Sequence, residues 1–172
     1  GEDGYELCIW YQCQEEVFKI WNDLVSMGFP PCGLGARDLL RLECGFPLYG
    51  VDEDEGVSPV EINRVGLVDM NKENFIGKHA IEEKIKKGVD KLLVGLLMED
   101  PGVPRHGYYV WKNDESIGRI TSGNLSPTLK RGIALAYVEK SFAEEGTTLE
   151  VDIRGKRRAA SVTLRPFMKR KK

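Results

Sequence analysis

Apolar and polar positions follow two different periods along this chain, and the change falls near residue 90. Upstream the period is helical. From Gln14 to Met27, the residues Val17, Ile20, Trp21, Leu24 and Val25 share one face, Glu15 and Glu16 suit the positive N-terminus, and Gly28 is a stop. In the glycine-rich stretch Gly33–Gly50, Ala36, Leu39, Leu40 and Glu43 sit at helical spacing, and Gly45 is a natural left-handed cap. Gly77 to Lys87 puts Ala80, Ile81, Lys84 and Ile85 on one side, closed by Gly88. Two short stretches read as strands, Tyr5–Trp10 with Leu7 and Ile9 on one face, and Val65–Met70. Ser58-Pro-Val-Glu61 reads as a helix start or a turn.

Downstream the period shortens. Lys91–Glu99, Gly107–Lys112, Ser116–Thr121, Gly132–Glu139, Thr148–Arg154 and Ala159–Pro166 are each of strand length, and Gly155-Lys156 joins the last two as a hairpin. About six strands in roughly 80 residues predict a small antiparallel barrel or jelly roll. The expected class is therefore α+β, with a boundary between Gly88 and Lys91. The first part looks incomplete, because its lone strand Tyr5–Trp10 needs sheet partners that the chain barely supplies.

Composition changes this picture little. With 41% apolar and 30% charged residues and a net charge of −2, the chain has no general drive toward nucleic acid or membrane. Its apolar runs fall far short of the roughly 18 residues that cross a bilayer, and no signal-peptide pattern opens it. It begins on Gly-Glu-Asp-Gly, a turn shaped by Glu2 and Asp3 that feeds a strand, which suggests a fragment or one product of a split gene. Cys8, Cys13, Cys32 and Cys44 form no Cys-x-x-Cys, so no metal site is expected. Cys8 and Cys44 read as small buried hydrophobes. The acidic run Asp52–Glu55 lacks the spacing of a calcium loop and reads as a solvated loop. His79 reads as an exposed helix residue and Lys169–Lys172 as a frayed tail.

Three residues are candidates for chemistry. Arg37 lies in the first turn of its helix, where the macrodipole disfavours a cation; that calls for a partner, either an internal carboxylate such as Asp38 or Glu43, or a ligand. Glu6 offers two acceptors in a plane, although its phase opposite Leu7 and Ile9 points it outward. Arg105 lies in the turn-rich Asp-Pro-Gly-Val-Pro-Arg-His-Gly loop, where an arginine is usually just solvated.

Several motifs follow one another in order: Gly-Glu-Asp-Gly-Tyr-Glu (1–6), Gly-Leu-Gly-Ala-Arg-Asp-x-Leu-Arg-Leu-Glu-x-Gly-x-Pro-Leu-Tyr-Gly (33–50), Ser-Pro-Val-Glu (58–61), Asn-Phe-Ile-Gly-Lys (74–78), Gly-Arg-Ile-Thr-Ser-Gly-x-Leu-Ser-Pro-Thr-Leu (118–129) and Ile-Ala-Leu-Ala-Tyr-Val (133–138). The series resembles the C-terminal half of the aminomethyltransferase family, the T-proteins of the glycine cleavage system. The resemblance implies that residues 1–88 are the end of a folate-binding α+β domain and 89–172 a β-barrel domain. It implies an enzyme that transfers the methylene of an aminomethyl group from the lipoyl arm of H-protein to tetrahydrofolate and releases ammonia. Glu6 and Arg37 match folate contacts of the family. Arg105 matches an arginine that reaches the folate cavity and the reacting region, and it is the one catalytic candidate; His106 beside it is not carried over. The family's essential aspartate lies in the other half, so this chain alone is expected to be inactive. At the place where many relatives carry a tryptophan, this chain has Gly66. The implied partners are lipoylated H-protein and the missing N-terminal half, without nucleic acid or membrane, in the cytoplasm or, in a eukaryote, the mitochondrial matrix. Two other readings share the residues: the folate module of a dimethylglycine- or sarcosine-oxidising enzyme, and a non-catalytic folate-binding assembly protein, which the presence of Glu6, Arg37 and Leu-Tyr-Gly disfavours.

Overall fold

The computed structural model describes residues 4–10, 14–163 and 165–168. The turn at Glu2 and Asp3, Cys13 and the tail Lys169–Lys172 lie outside the described residues. The elements run α1 (Gln14–Ser26), α2 (Leu34–Glu43), α3 (Lys78–Lys87), then β1 (Lys91–Met98), β2 (Tyr109–Lys112), β3 (Glu115–Ser126), β4 (Arg131–Glu139), β5 (Thr148–Ile153) and β6 (Lys156–Thr163). The three α-helices and six strands among the described residues lie on the expected stretches, but β3 runs on to Ser126 rather than ending at Thr121, and β6 begins at Lys156, so the hairpin turn is Arg154-Gly155 rather than Gly155-Lys156. Gly45 ends α2 in the left-handed region at φ 67°, and the Gly45 and Phe46 amides cap the Leu42 and Arg41 carbonyls.

The strands close into an antiparallel barrel in the order β1-β4-β3-β2-β5-β6. Alternate residues fill its interior: Val94, Leu96 and Met98 from β1, Ala134, Ala136 and Val138 from β4, Leu149 and Val151 from β5, and Ala160 and Val162 from β6. The small alanines of β4 let the opposite walls meet. The outward phase of β1 and β4 is also covered, since Leu93, Ile133 and Leu135 form a second core with Leu42 of α2, flanked by Ile62, Tyr137 and Phe167. β4 is therefore apolar on both faces, which its Ile-Ala-Leu-Ala-Tyr-Val run records.

The chain divides into two compact units, Gly1–Asp38 and Leu39–Lys172. In the larger unit, Leu42, Ile62 and the turn of Asp52, all within residues 39–88, form a layer against the barrel. Glu61 anchors this covering layer. Its Oε2 accepts from the Ser58 amide and hydroxyl, both at 2.8 Å, and from Lys84 Nζ of α3 at 2.7 Å, while its carbonyl accepts from the Leu93 amide of β1 at 2.8 Å. Ser58-Pro-Val-Glu61 is thus a turn.

Four local expectations give way. Tyr5–Trp10 is not a strand, because a strand needs a ladder partner and no described segment supplies one. Val65–Met70 forms a 3₁₀ turn at Val65–Leu67 followed by irregular chain; its apolar run is too short to reach an edge, and the barrel has none to offer. Cys8 is exposed rather than buried, since its apolar neighbours in the sequence are themselves on the surface. The acidic run is not uniformly solvated either, as Asp52 is buried.

The Glu61 carboxyl is opposed by partial burial, which raises its pKa, but hydrogen bonds from Lys84 and Ser58 outweigh this and hold it below the ordinary 4.5. A carboxylate with a depressed folded pKa stabilises the fold above the unfolded value and loses that contribution as pH falls through the folded one. Melts of the wild type and Glu61→Gln should therefore differ at pH 7 and converge as the pH falls through the folded carboxyl's pKa, which lies below the ordinary 4.5. A gap that is constant across this range would contradict the anchor's ionic character.

Candidate functional site

The polar centre of the larger unit is Asp52, whose side chain is completely inaccessible to solvent. Arg41, in the last turn of α2, sends Nη1 to Asp52 Oδ2 at 2.6 Å and to the Phe46 carbonyl at 3.2 Å, and Nη2 to Ser122 Oγ at 2.9 Å. The Leu48 amide donates to the same Asp52 Oδ2 at 2.9 Å. Thr121 Oγ1 donates to Oδ1, and Tyr137 Oη donates to the Asp52 carbonyl at 2.9 Å. A buried carboxylate is tolerable only when paired and hydrogen-bonded, and this one is both.

A β-bulge makes this convergence possible. Ile120 of β3 faces Ala136 and Ser122 faces Leu135, so Thr121 is an extra residue. Neighbours on a regular strand point to opposite faces. At a bulge the alternation breaks, and Thr121 and Ser122 both reach the Arg41–Asp52 pair. Four residues on, the buried Glu43 repeats the pattern, accepting from Ser126 Oγ and, at 3.3 Å, from Thr128 Oγ1. Glu43 is therefore not the carboxylate that pairs with Arg37.

The β1–β2 loop that carries Arg105 lies across this same strip. Its start is tied by the Ala159 amide to Asp100 Oδ2 at 2.9 Å, and its end by the Gly107 amide to the Ile120 carbonyl at 2.8 Å. His106 Nδ1 lies 2.7 Å from the Thr121 carbonyl. A carbonyl only accepts, so Nδ1 is the donor in this bond. Arg105 itself is exposed and donates through Nη1 to Asn124 Oδ1 at 3.2 Å. The loop fits closely because position 123 is glycine, where a Cβ would stand 2.6 Å from the Pro104 carbonyl oxygen.

Nearby, burial and then the carboxylates Glu61, Asp52, Glu53 and Asp54 push the Tyr137 phenol up to about 12, so it stays a donor. Burial followed by the neighbouring Arg64 pulls the Arg165 guanidinium down to about 10. Its Nη2 donates to the Ile62 carbonyl at 2.6 Å. Among the described residues no group of His, Cys, Asp and Glu is arranged to hold a metal.

Glu6 and Arg37 lie in the other unit, both exposed, Glu6 on irregular chain and Arg37 in the first turn of α2. Among the described residues neither enters an ion pair. The sequence reading missed Asp52, Thr121 and Ser122. The Arg41–Glu43 pair and the Thr-Ser-Gly run were both in its motifs, but nothing in a single sequence says that the two face each other.

The chain is similar to known proteins over both of its parts. The glycine cleavage T-protein C-terminal barrel domain matches residues 91–169, and the GCVT N-terminal domain matches residues 1–72. An aminomethyltransferase from Geobacillus sp. (strain WCH70) is 44% identical over 177 aligned positions, covering 100% of this chain and 48% of the relative. One from Aquifex aeolicus (strain VF5) is 45% identical, covering 98% and 46%. The crystal structure of glycine cleavage system aminomethyltransferase T from Bartonella henselae superposes with a TM-score of 0.81 at 31% identity, over 91% of this chain and 44% of that one. The chain spans about half the length of the relatives it matches.

Gly123→Ala should displace the β1–β2 loop while leaving the barrel intact, because the clash is with backbone rather than with a flexible side chain. The expected outcome is a clear change in the amide resonances of residues 104–107, with β5 and β6 unmoved. Unchanged resonances at 104–107 would contradict the close approach.

Proposed function

The chain belongs to the aminomethyltransferase family of glycine cleavage T-proteins, and from that membership we propose that it is the C-terminal part of a tetrahydrofolate-dependent aminomethyltransferase. The whole enzyme would move the methylene of a lipoyl-bound aminomethyl group from H-protein to tetrahydrofolate, with release of ammonia. The observation that carries the reading is the similarity to aminomethyltransferases over nearly the entire chain, together with exposed Glu6, Arg37 and Arg105, none of them consumed by an internal ion pair among the described residues.

Each of these residues has a role its chemistry suits. The Glu6 carboxylate offers two acceptors to the paired N–H donors of a pterin edge. Arg37 offers a fixed fork of donors to a carbonyl or carboxylate of the folate. Arg105, on a loop held at both ends, keeps one arm on Asn124 and presents the rest of its guanidinium to solvent, where it can stabilise charge that develops during transfer. The chain supplies no residue matching the family's essential aspartate, so the acid–base step belongs to the N-terminal half, and this part alone is expected to be inactive. The division we adopt is 1–88 for the folate-binding part and 89–172 for the barrel domain. The compartment we propose is the cytoplasm, or the mitochondrial matrix in a eukaryote.

Glu6→Gln in a protein carrying both halves tests the reading. Glutamine keeps the shape but replaces one acceptor with a donor that faces the pterin's own N–H groups. Loss of a charge-assisted hydrogen bond of about 1.5–3 kcal/mol corresponds to roughly ten- to a hundredfold weaker tetrahydrofolate binding. The expected result of a folate titration is that loss with an unchanged melt. Unchanged affinity would remove Glu6 from the site.

A further inference from the structure

Residues directly opposite each other on paired strands share a face. Ser122, Asn124 and Ser126 of β3 stand opposite Leu135, Ile133 and Arg131 of β4, so the three polar side chains line one face at every second position. The outer two are engaged by α2: Ser122 Oγ accepts from Arg41 Nη2, and Ser126 Oγ donates to Glu43 Oε1. The one between them serves the β1–β2 loop instead. Asn124 Oδ1 accepts from Arg105 Nη1 at 3.2 Å and from the Leu125 amide at 2.9 Å.

These two bonds fix the orientation of the Asn124 amide. Both partners are donors, so the atom that faces them is the oxygen, and Nδ2 points away from them. The Leu125 amide holds that oxygen in place whether or not Arg105 is bound to it. The loop on either side of Arg105 is also held. Pro104 packs so closely on Gly123 that a Cβ there would stand 2.6 Å from its carbonyl oxygen, and His106 Nδ1 is 2.7 Å from the Thr121 carbonyl. The carboxylates at the start of the loop are engaged elsewhere, Glu99 with Arg131 and Ser161, and Asp100 with the Ala159 amide. Among the described residues, Asn124 is thus the hydrogen-bond partner of an otherwise exposed guanidinium. A free arginine side chain has a large rotamer entropy, and restraining it before the reaction removes part of the cost of bringing it to the reacting group.

We propose that Asn124 is a positioning residue for Arg105. Its Oδ1 orients the guanidinium that stabilises charge during aminomethyl transfer, and its Nδ2 takes no part. The inference rests on the transferase reading for the reaction, and on the geometry alone for the restraint.

Two substitutions separate the roles of the amide. Asn124→Ala removes the acceptor, whereas Asn124→Asp keeps it and replaces Nδ2 with a second oxygen. In a protein carrying both halves, assayed well below the melting transition of each variant, Asn124→Ala should lower kcat roughly tenfold at an unchanged KM for tetrahydrofolate. Asn124→Asp should recover most of that loss. The restraint is read separately on this chain by nuclear magnetic resonance relaxation at Arg105 Nε. The expected side chain is ordered in the wild type and in Asn124→Asp, and disordered in Asn124→Ala. The proposal is overturned by an Asn124→Ala protein that turns over like the wild type, whether or not its melt falls, by an Asn124→Asp protein no faster than Asn124→Ala, or by Arg105 equally ordered in all three. Absence of turnover in the wild-type protein with both halves would sink the transferase reading, and the Arg105 relaxation would still decide the restraint.

Discussion

The larger unit depends on one buried ion pair. Asp52 is removed from water and Arg41 nearly so, and their mutual attraction is useful because Leu48, Phe46, Thr121 and Ser122 supply further hydrogen bonds to the pair. Ion pairs of this kind contribute little net stability relative to an apolar replacement of the same shape, but they are costly to break from one side. What the pair contributes here is placement. It fixes the last turn of α2 and the Leu48–Asp52 turn against one stretch of β3, and that stretch also holds the loop of Arg105.

Two motifs that look functional are therefore largely the two halves of one contact. Arg-Leu-Glu at 41–43 supplies a guanidinium, a core leucine and a carboxylate. Thr-Ser-Gly-x-Leu-Ser at 121–126 answers with a bulged hydroxyl pair for the Arg41–Asp52 pair, a glycine under Pro104 and a hydroxyl for Glu43. The residues offered to solvent, Arg37 and Arg105, stand beside this contact in the sequence rather than in it. The scaffold occupies most of each motif, and the chemistry we propose rests on Arg37, within the first motif, and on Arg105, in a loop that precedes the second.

Much of the barrel was legible because its signals are local. Strand-length apolar runs alternate with turns such as Arg154-Gly155, and a closed sheet leaves no strand without a partner. Helix α1 was legible for the same reason, although its exposure was not, since periodicity reports a face and not what covers it. Tyr5–Trp10 failed because strand character is not intrinsic to a segment. Asp52 failed because it sits among Glu53, Asp54 and Glu55, and composition cannot single out the one carboxylate in four that has an arginine waiting. Its partner is 11 positions away on a helix, and its hydroxyl donor is 69 positions away at a bulge no pattern announces.

The claim that the Arg41–Asp52 pair organises the larger unit can be measured as a coupling free energy. A double-mutant cycle with Arg41→Met and Asp52→Asn, read by urea denaturation, separates the pair from the effects of each side chain alone. The account predicts that each single change costs about 3–5 kcal/mol, because it leaves the other charge buried, while the double change costs much less than their sum, with a coupling of at least about 2 kcal/mol. Additive losses, or single losses below about 1 kcal/mol, would contradict it.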